Sequence, residues 1–293
     1  MKYTFKTFQA DFPDDAACLA AMMKVQFGGT KITCPGCGVD GAQFHPMSRR
    51  RAFACQECGH HIYPCAGTIF HKSSTKLTHW FFAMYLMTST RHGVAAKELE
   101  RQIGCTYKTA WRMAHELRKL VASADHKGKL SGHIEVDEMY HGPKVRGKRG
   151  SKGKTVVFGA VERGEGGKIR VGVVPDAKMK TLEHVIQNNI EKGSRIDSDD
   201  HYGYRALPLL GYKHKWVTHS WDEYVRGDIH VNTIEGHWGL FRRAVRGTHV
   251  HVSSKHLWKY ASEFAYRRNM RHSHWDMFAK LIAALSLPRL AAQ

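Results

Sequence analysis

Three acidic stretches and two cysteine pairs hold the residue types in this chain that can do chemistry. "HIEVDEMYHG" (His133–Gly142) sets Glu135, Asp137 and Glu138 inside a run that reads as a β-strand, where carboxylates are normally depleted. "GSRIDSDDHYGY" (Gly193–Tyr204) reads as a short strand ending in Asp197, Asp199 and Asp200 before a helix. "HVNTIEGHWGLFRRAVRG" (His230–Gly247) reads as a helix stopped by glycine, with Ile234, Trp238, Phe241 and Val245 as its core stripe. Glu235, Gly239, Arg242 and Arg246 share a neighbouring sector of that helix. Strand alternation puts Ile134 and Val136 on one face and Glu135 and Asp137 on the other. Taken singly, each acid is a surface ion pair of small worth. Together, acids from two strands and one helix can hold two divalent cations about 4 Å apart. Mg²⁺, with Mn²⁺ as a substitute, suits such oxygen ligands and keeps several waters. One ion would activate a water or a 3′-hydroxyl, and the other would stabilise the oxygen leaving phosphorus.

The cysteines ask for a different metal. "CPGC" (Cys34, Cys37) and "CQEC" (Cys55, Cys58) are CxxC pairs with seventeen residues between them, a spacing suited to one tetrahedral Zn²⁺. A segment this short has little core, so the metal is expected to supply much of its folding energy. "SRRRAF" between the pairs offers Arg49, Arg50 and Arg51 to phosphate, while Cys18, Cys65 and Cys105 are expected to be small buried apolar residues. An odd total of seven cysteines argues for metal binding and stray thiols over a disulfide framework.

Charge names the class of partner. The 293 residues carry 45 Lys plus Arg against 26 Asp plus Glu, a net charge of +19, which predicts a polyanion such as nucleic acid. The most apolar window, "WFFAMYLM", is well short of a membrane span, and no basic leader precedes "AACLAAMM". The expectation is a soluble, cytoplasmic protein with no membrane partner.

The elements that must position these groups divide the chain into a helical lead-in (1–30), the cysteine segment (31–72), a helical region (73–124), alternating strands and helices (131–247) and C-terminal helices (248–293). The architecture expected is therefore multidomain α+β. In "GVAAKELERQIGCTYKTAWRMAHELRKLV" two helical patterns break at Gly104. Ala96, Leu99 and Ile103 form one core face; Ala110, Ala114, Leu117 and Val121 form the other, with Thr106 as cap. Lys108, Arg112, His115 and Lys119 line the opposite side, which suits a helix-turn-helix whose second helix enters a DNA groove. The Gly/Lys/Arg-rich loop between the first two strands adds Lys144, Arg146, Lys148 and Arg149, and "YRRNMRH" adds a basic cluster near the end. Clustered Lys and Arg hold backbone phosphates without reading sequence.

The ensemble "CPGCG", "ACQECGH", "GTIFHKSSTKL", "YKTAWRMAHELR", "IEVDEMYHG", "SDDHYGY", "NTIEGHWGLFRR" and "EFAYRRNMR" resembles the bacterial insertion-sequence transposases of the DDE type with an N-terminal zinc ribbon, the ISXO-type group related to the Merlin transposons. The resemblance implies an RNase H-like catalytic domain whose metal ligands are Asp137, Asp199 (five positions before Tyr204) and Glu235, with Asn232 as an alternative third ligand. It implies binding to double-stranded terminal inverted repeats and target DNA, strand cleavage and strand transfer, and assembly as a dimer or larger. Two rivals remain: a regulator that binds DNA through ribbon and helices without catalysis, and a nuclease that cuts without joining.

Overall fold

The computed structural model describes residues 3–125, 128–143, 153–218 and 225–287. The chain divides into two compact units, residues 1–124 with 273–293, and residues 125–272.

In the first unit, α1 (Phe5–Asp11) and α2 (Asp15–Phe27) lead into a four-stranded antiparallel sheet of β1 (Lys31–Ile32), β2 (Ala42–Pro46), β3 (Phe53–Cys55) and β4 (His61–Ile62), paired in chain order. Asp14 starts α2 by accepting from the N–H of Ala17 at 2.8 Å, and Gly28, at φ 81°, ends it where the glycines of the lead-in are expected to. Beyond the ribbon come α3 (Leu77–Ser89), α4 (Ala96–Ile103) and α5 (Tyr107–Ala124). The α3 face formed by Leu77, Trp80, Phe81, Met84 and Met87 is buried, as the nearly all-apolar sequence requires. Gly104 closes α4 in the left-handed conformation, and Thr106 Oγ1 accepts from the N–H of Thr109 at 3.3 Å. Ala110, Ala114, Leu117 and Val121 are buried, so the expected stripe of α5 is the real one.

The second unit is built on a five-stranded sheet. β5 (His133–His141), β6 (Thr155–Glu162) and β7 (Ile169–Val174) run antiparallel; β8 (Arg195–Ser198) and β9 (Lys213–Trp216) join β5 in parallel, giving the order β7-β6-β5-β8-β9. One face packs Ile134, Val136, Phe158 and Ile196 against Leu182 and Ile186 of α6 (Met179–Asn189). The other packs Met139, Val157 and Val161 against Ile234, Trp238 and Phe241 of α7 (Asn232–Ala244) and Leu257, Ala261 and Phe264 of α8 (Ser254–Asn269). The result is a helix–sheet–helix sandwich whose faces follow the alternation of β5.

Two boundaries differ from the sequence expectation. Gly247 does not stop the helix; α7 gives way at Val245 to a π turn that runs through Gly247 to His249. The C-terminal helices also divide. α8 belongs to the second unit because its apolar stripe completes the α7 side of the sandwich. α9 (Met277–Ala283) belongs to the first, where Phe278 stacks on Tyr3 with centroids 4.9 Å apart.

Gly159 faces Asp137 across the β5–β6 ladder, and a Cβ there would lie 2.4 Å from the Trp238 ring and 2.8 Å from Ile234. Only a glycine lets α7 seat this closely on the sheet. Gly159→Ala is expected to cost about 1–3 kcal/mol through overpacking, read as a lower midpoint for the second unit in chemical denaturation.

Candidate functional site: a cysteine cluster and a carboxylate cluster

The cysteine site is the better formed of the two. Among the described residues, Cys34, Cys37, Cys55 and Cys58 are the group of potential ligands whose donor atoms all lie within 4.8 Å of one another. Two identical knuckles bring them there. Gly38 N–H donates to Cys34 O and Gly59 N–H to Cys55 O, each at 2.9 Å; Cys34 and Cys55 N–H donate to Val39 O and His60 O, also at 2.9 Å. Gly38 and Gly59 take φ values of 74° and 72°, which closes both turns without strain. His60 packs on Gly36, where a Cβ would lie 2.7 Å from the ring, so His60 braces the first knuckle from outside the ligand set. Burial works against ionisation of Cys34, but backbone N–H groups of Cys37 and Gly36 overcome it and bring the thiol down to about 6. Four converging sulfurs with one already favouring thiolate fit a tetrahedral zinc.

The three acids of β5 have three different surroundings. Glu135 is fully buried. Its carboxylate accepts from the N–H and hydroxyl of Thr233, both at 2.7 Å, from the N–H of Ile234 at 3.1 Å, and from Arg163 Nε at 2.7 Å. α7 has no side-chain cap of its own, so a strand residue caps it from a distance in sequence of about a hundred positions. Glu138 points to the opposite face, where Tyr204 OH donates to it and His201 Nδ1 lies 3.4 Å away. Asp137 alone of the three is half-buried, on the α7 side of the sheet.

Asp137 is where the expected acids act on one another. Burial first, then the carboxylates of Glu138, Asp199 and Glu235, hold its pKa well above 3.8. The same groups reach further: burial, Glu138, Asp199 and Asp137 push the Tyr140 phenol up to about 12. Asp199 follows β8 directly, is half-buried, and accepts from the N–H of His201 at 3.1 Å. Glu235 is exposed on the first turn of α7, and Asn232 is exposed at its first residue. Asp197 is fully buried and engaged by Arg195 at 2.9 Å, His133 at 2.9 Å and Arg163 at 3.4 Å. Asp200 is exposed. Tyr204 anchors the turn after β8 to Glu138 on β5, and so holds Asp199 near enough for its charge to act on Asp137.

The basic residues separate more sharply. Arg49 and Arg50 are exposed, but Arg51 turns inward and donates to Ser73 O and Thr75 O, both at 2.9 Å, and pairs with Asp15 at 3.3 Å. On α5 Lys108 and Arg112 are exposed, Arg112 donating to Ser73 Oγ at 3.1 Å and lying over the Trp80 ring at 5.4 Å. His115 is 3% exposed and stacked on Trp111 with centroids 3.9 Å apart, so the outer stripe is interrupted there. The helix buries more of its circumference than one apolar stripe predicts, because α3 and α9 also pack on it. Lys119 pairs with Glu116 at 2.7 Å. Arg242 and Arg246 are exposed. Lys144, Arg146, Lys148 and Arg149 lie outside the described residues.

Sequence reasoning missed Glu135 as a cap, Arg163 as its counter-ion and Gly159 as the seat of α7. A carboxylate two positions before Asp137 on the same face was a visible signal; the cap it makes was not.

Known proteins show what the two units resemble. Residues 129–269 match the model of an ISXO2-like transposase domain, and residues 13–61 that of a transposase zinc-ribbon domain. The chain is 29% identical over 281 residues to an uncharacterized protein in transposable element ISH50 of Halobacterium salinarum, across 87% of this chain and 90% of that one. The chain thus carries an ISXO2-like transposase domain behind a transposase zinc-ribbon domain, and over most of its length it is similar to a protein of a transposable element. No described helix is long and apolar enough to cross a membrane.

Two outcomes are expected. Asp137 binds its proton more tightly folded than unfolded, so without divalent metal its contribution to stability falls as pH rises from about 4 through its raised folded value. Asp137→Asn should therefore raise the thermal midpoint of the metal-free protein at neutral pH by a few degrees and flatten its pH dependence. Glu135→Ala leaves Arg163 and the first turn of α7 without their shared partner and should destabilise the second unit by about 3–5 kcal/mol, measured by denaturant titration.

Proposed function

We propose that this chain is a Mg²⁺-dependent DNA transposase that binds the terminal inverted repeats of its element, nicks them and joins the freed ends to target DNA. The observation that carries the reading is that Asp199 and Glu235, from a turn and a helix far apart in sequence, both add to burial and Glu138 in raising the carboxyl of Asp137 on β5. A half-buried carboxylate facing two more charged ones is a liability without a cation and an asset with one, so the donor set fits Mg²⁺ or Mn²⁺. Asp137, Asp199 and Glu235 would hold the ions, with Asn232 close by on α7 as the alternative third ligand. When bound, the ions supply activation of the attacking water or 3′-hydroxyl and stabilisation of the oxygen leaving phosphorus.

The protein's own residues do the positioning. Glu135 sets the height and angle of α7, and with it Glu235. Arg242, exposed further along the same helix, and Arg246, exposed in the π turn that follows it, hold phosphates of the strand lying over the acids. The order of the second sheet, three antiparallel strands with two parallel strands added beside the first, supports an RNase H-like fold. The α4–Gly104–α5 pair supports a helix-turn-helix, with Lys108 at the exposed start of α5 and Arg49 and Arg50 on the ribbon as phosphate contacts. In that arrangement Arg51, His115 and Lys119 brace the surface, and the basic residues 144–149 and the net charge of +19 add sequence-independent affinity. Pairing two DNA ends calls for at least two copies, acting in the cytoplasm on the cell's own DNA.

The experiment uses DNA carrying the inverted repeats that flank the gene. Asp137→Ala, Asp199→Ala and Glu235→Ala should each lower Mg²⁺-dependent nicking by about a thousandfold or more, while DNA binding measured by mobility shift persists. Pre-cut ends should be joined to a target plasmid by the native protein. Cutting without joining would make the chain a nuclease, and full nicking by Asp199→Ala would pass that role to another acid.

A further inference from the structure

A cleft of about 560 Å³ opens between the chain leaving β5 and the π turn after α7, within the size range of about 300–1,000 Å³ typical of ligand sites. Its walls include Tyr140, His141, Phe241, Arg242, Arg246 and Val250. Phe241 is buried and forms an apolar floor, whereas both arginines are exposed at the rim. Arg242, in the last turn of α7, and Arg246, in the π turn after it, stand four residues apart, near enough for like charges to repel, and among the described residues neither has an acidic partner. A groove that only held phosphate would need the arginines and not the apolar floor. A nucleobase with its phosphate needs both.

Val250 stands at the mouth of this cleft in a costly backbone. It is 80% exposed, with φ 63° and ψ −54°, and His251 N–H donates across it to His249 O at 2.7 Å. That is the rare, strained form of the γ-turn, and a β-branched residue at positive φ is an outlier. The flanks are pinned: Val245 and Val252 are buried, and His141 Nε2 lies 3.0 Å from Val252 O. An isopropyl group held in water returns nothing to folding, so the strain points to a partner. A π turn immediately before it is a further feature concentrated at functional sites.

Met139, which also lines the cleft, is two residues beyond Asp137 on the same face of β5, and Arg242 is seven residues beyond Glu235 on the same sector of α7, about 10 Å at 1.5 Å per residue. That span equals about three stacked base steps. We propose that this cleft receives a nucleotide extruded from the end of a DNA duplex, with Val250 as the wedge that parts it from its neighbour. The proposal rests on the reading of the nearby acids as a DNA-processing site and adds a substrate subsite to it. Apolar wedges at kinked or unstacked steps are a general means of opening a duplex, and Arg242 and Arg246 would hold the phosphates on either side of the extruded base.

The test uses the full-length, zinc-loaded protein in the absence of Mg²⁺. The probes are a short duplex with a mismatched, frayed end and the same duplex fully paired. Fraying removes an unstacking cost of a few kcal/mol, so the native protein should bind the frayed end on the order of tenfold more tightly. A thymine at the bound end should become hyperreactive to permanganate. Glycine adopts φ 63° freely, so Val250→Gly should melt no earlier than the native protein, yet bind both ends alike and leave the thymine at its free-duplex reactivity. Preference and hyperreactivity retained in Val250→Gly overturn the wedge. Equal, tight binding of both ends by the native protein overturns the cleft as a nucleotide site. Failure to bind either duplex strikes at DNA as the substrate, a separate result.

Discussion

A single buried carboxylate sets the geometry of the second unit. Glu135 satisfies two backbone N–H groups and a hydroxyl at the start of α7 and is neutralised by Arg163. Left uncapped, the first turn of that helix would bury donors with no acceptor. A carboxylate at this end also faces the positive pole of the helix dipole, a favourable arrangement. Arg163 reaches on to Asp197 and to the carbonyls of Asp228 and His230, so the segment entering α7 is tied to the same pair of strands. Glu135 and Asp197 are neighbours across the parallel β5–β8 ladder. Two buried like charges there would repel each other, and the guanidinium between them turns that liability into a clamp.

From this clamp follows the placement of everything exposed. With the start of α7 fixed and Gly159 admitting Trp238 against the strand, Glu235 rises on the same side of the sheet as Asp137. On the other side Tyr204 binds Glu138 and brings the turn carrying Asp199 alongside. Three consecutive-looking acids in one strand thus divide the labour: one caps, one anchors, and one is left exposed to other carboxylates. The energetic cost is concentrated on Asp137, where burial and repulsion both oppose ionisation.

Legibility in the sequence followed the range of the interactions. The cysteine knuckles could be read because four residues determine each turn, and the glycine after each pair supplies its left-handed φ. The core stripes of α5 and α7 and the two faces of β5 could be read because they are periodic. What could not be read depended on long-range partners. Arg51 looks like its neighbours Arg49 and Arg50 until Ser73 and Thr75 offer their carbonyls. His115 looks like part of a basic stripe until Trp111 covers it. Gly247 looks like a helix stop, but the chain takes a wider turn there because Val245 and Val252 are both drawn into the core. The second acid was legible only through resemblance, since Asp197, Asp199 and Asp200 differ in surroundings and not in local pattern.

The proposed function requires Asp137, Asp199 and Glu235 to share a cation, and where a cation binds is directly measurable. Crystals grown with Mn²⁺ in place of Mg²⁺ would reveal it by anomalous scattering. A peak at roughly 2 Å from carboxylate oxygens of Asp137 and Asp199, with Glu235 or Asn232 completing the set, is the predicted result. Manganese found elsewhere on the second unit, with these three side chains dry and unliganded at saturating metal, would contradict it.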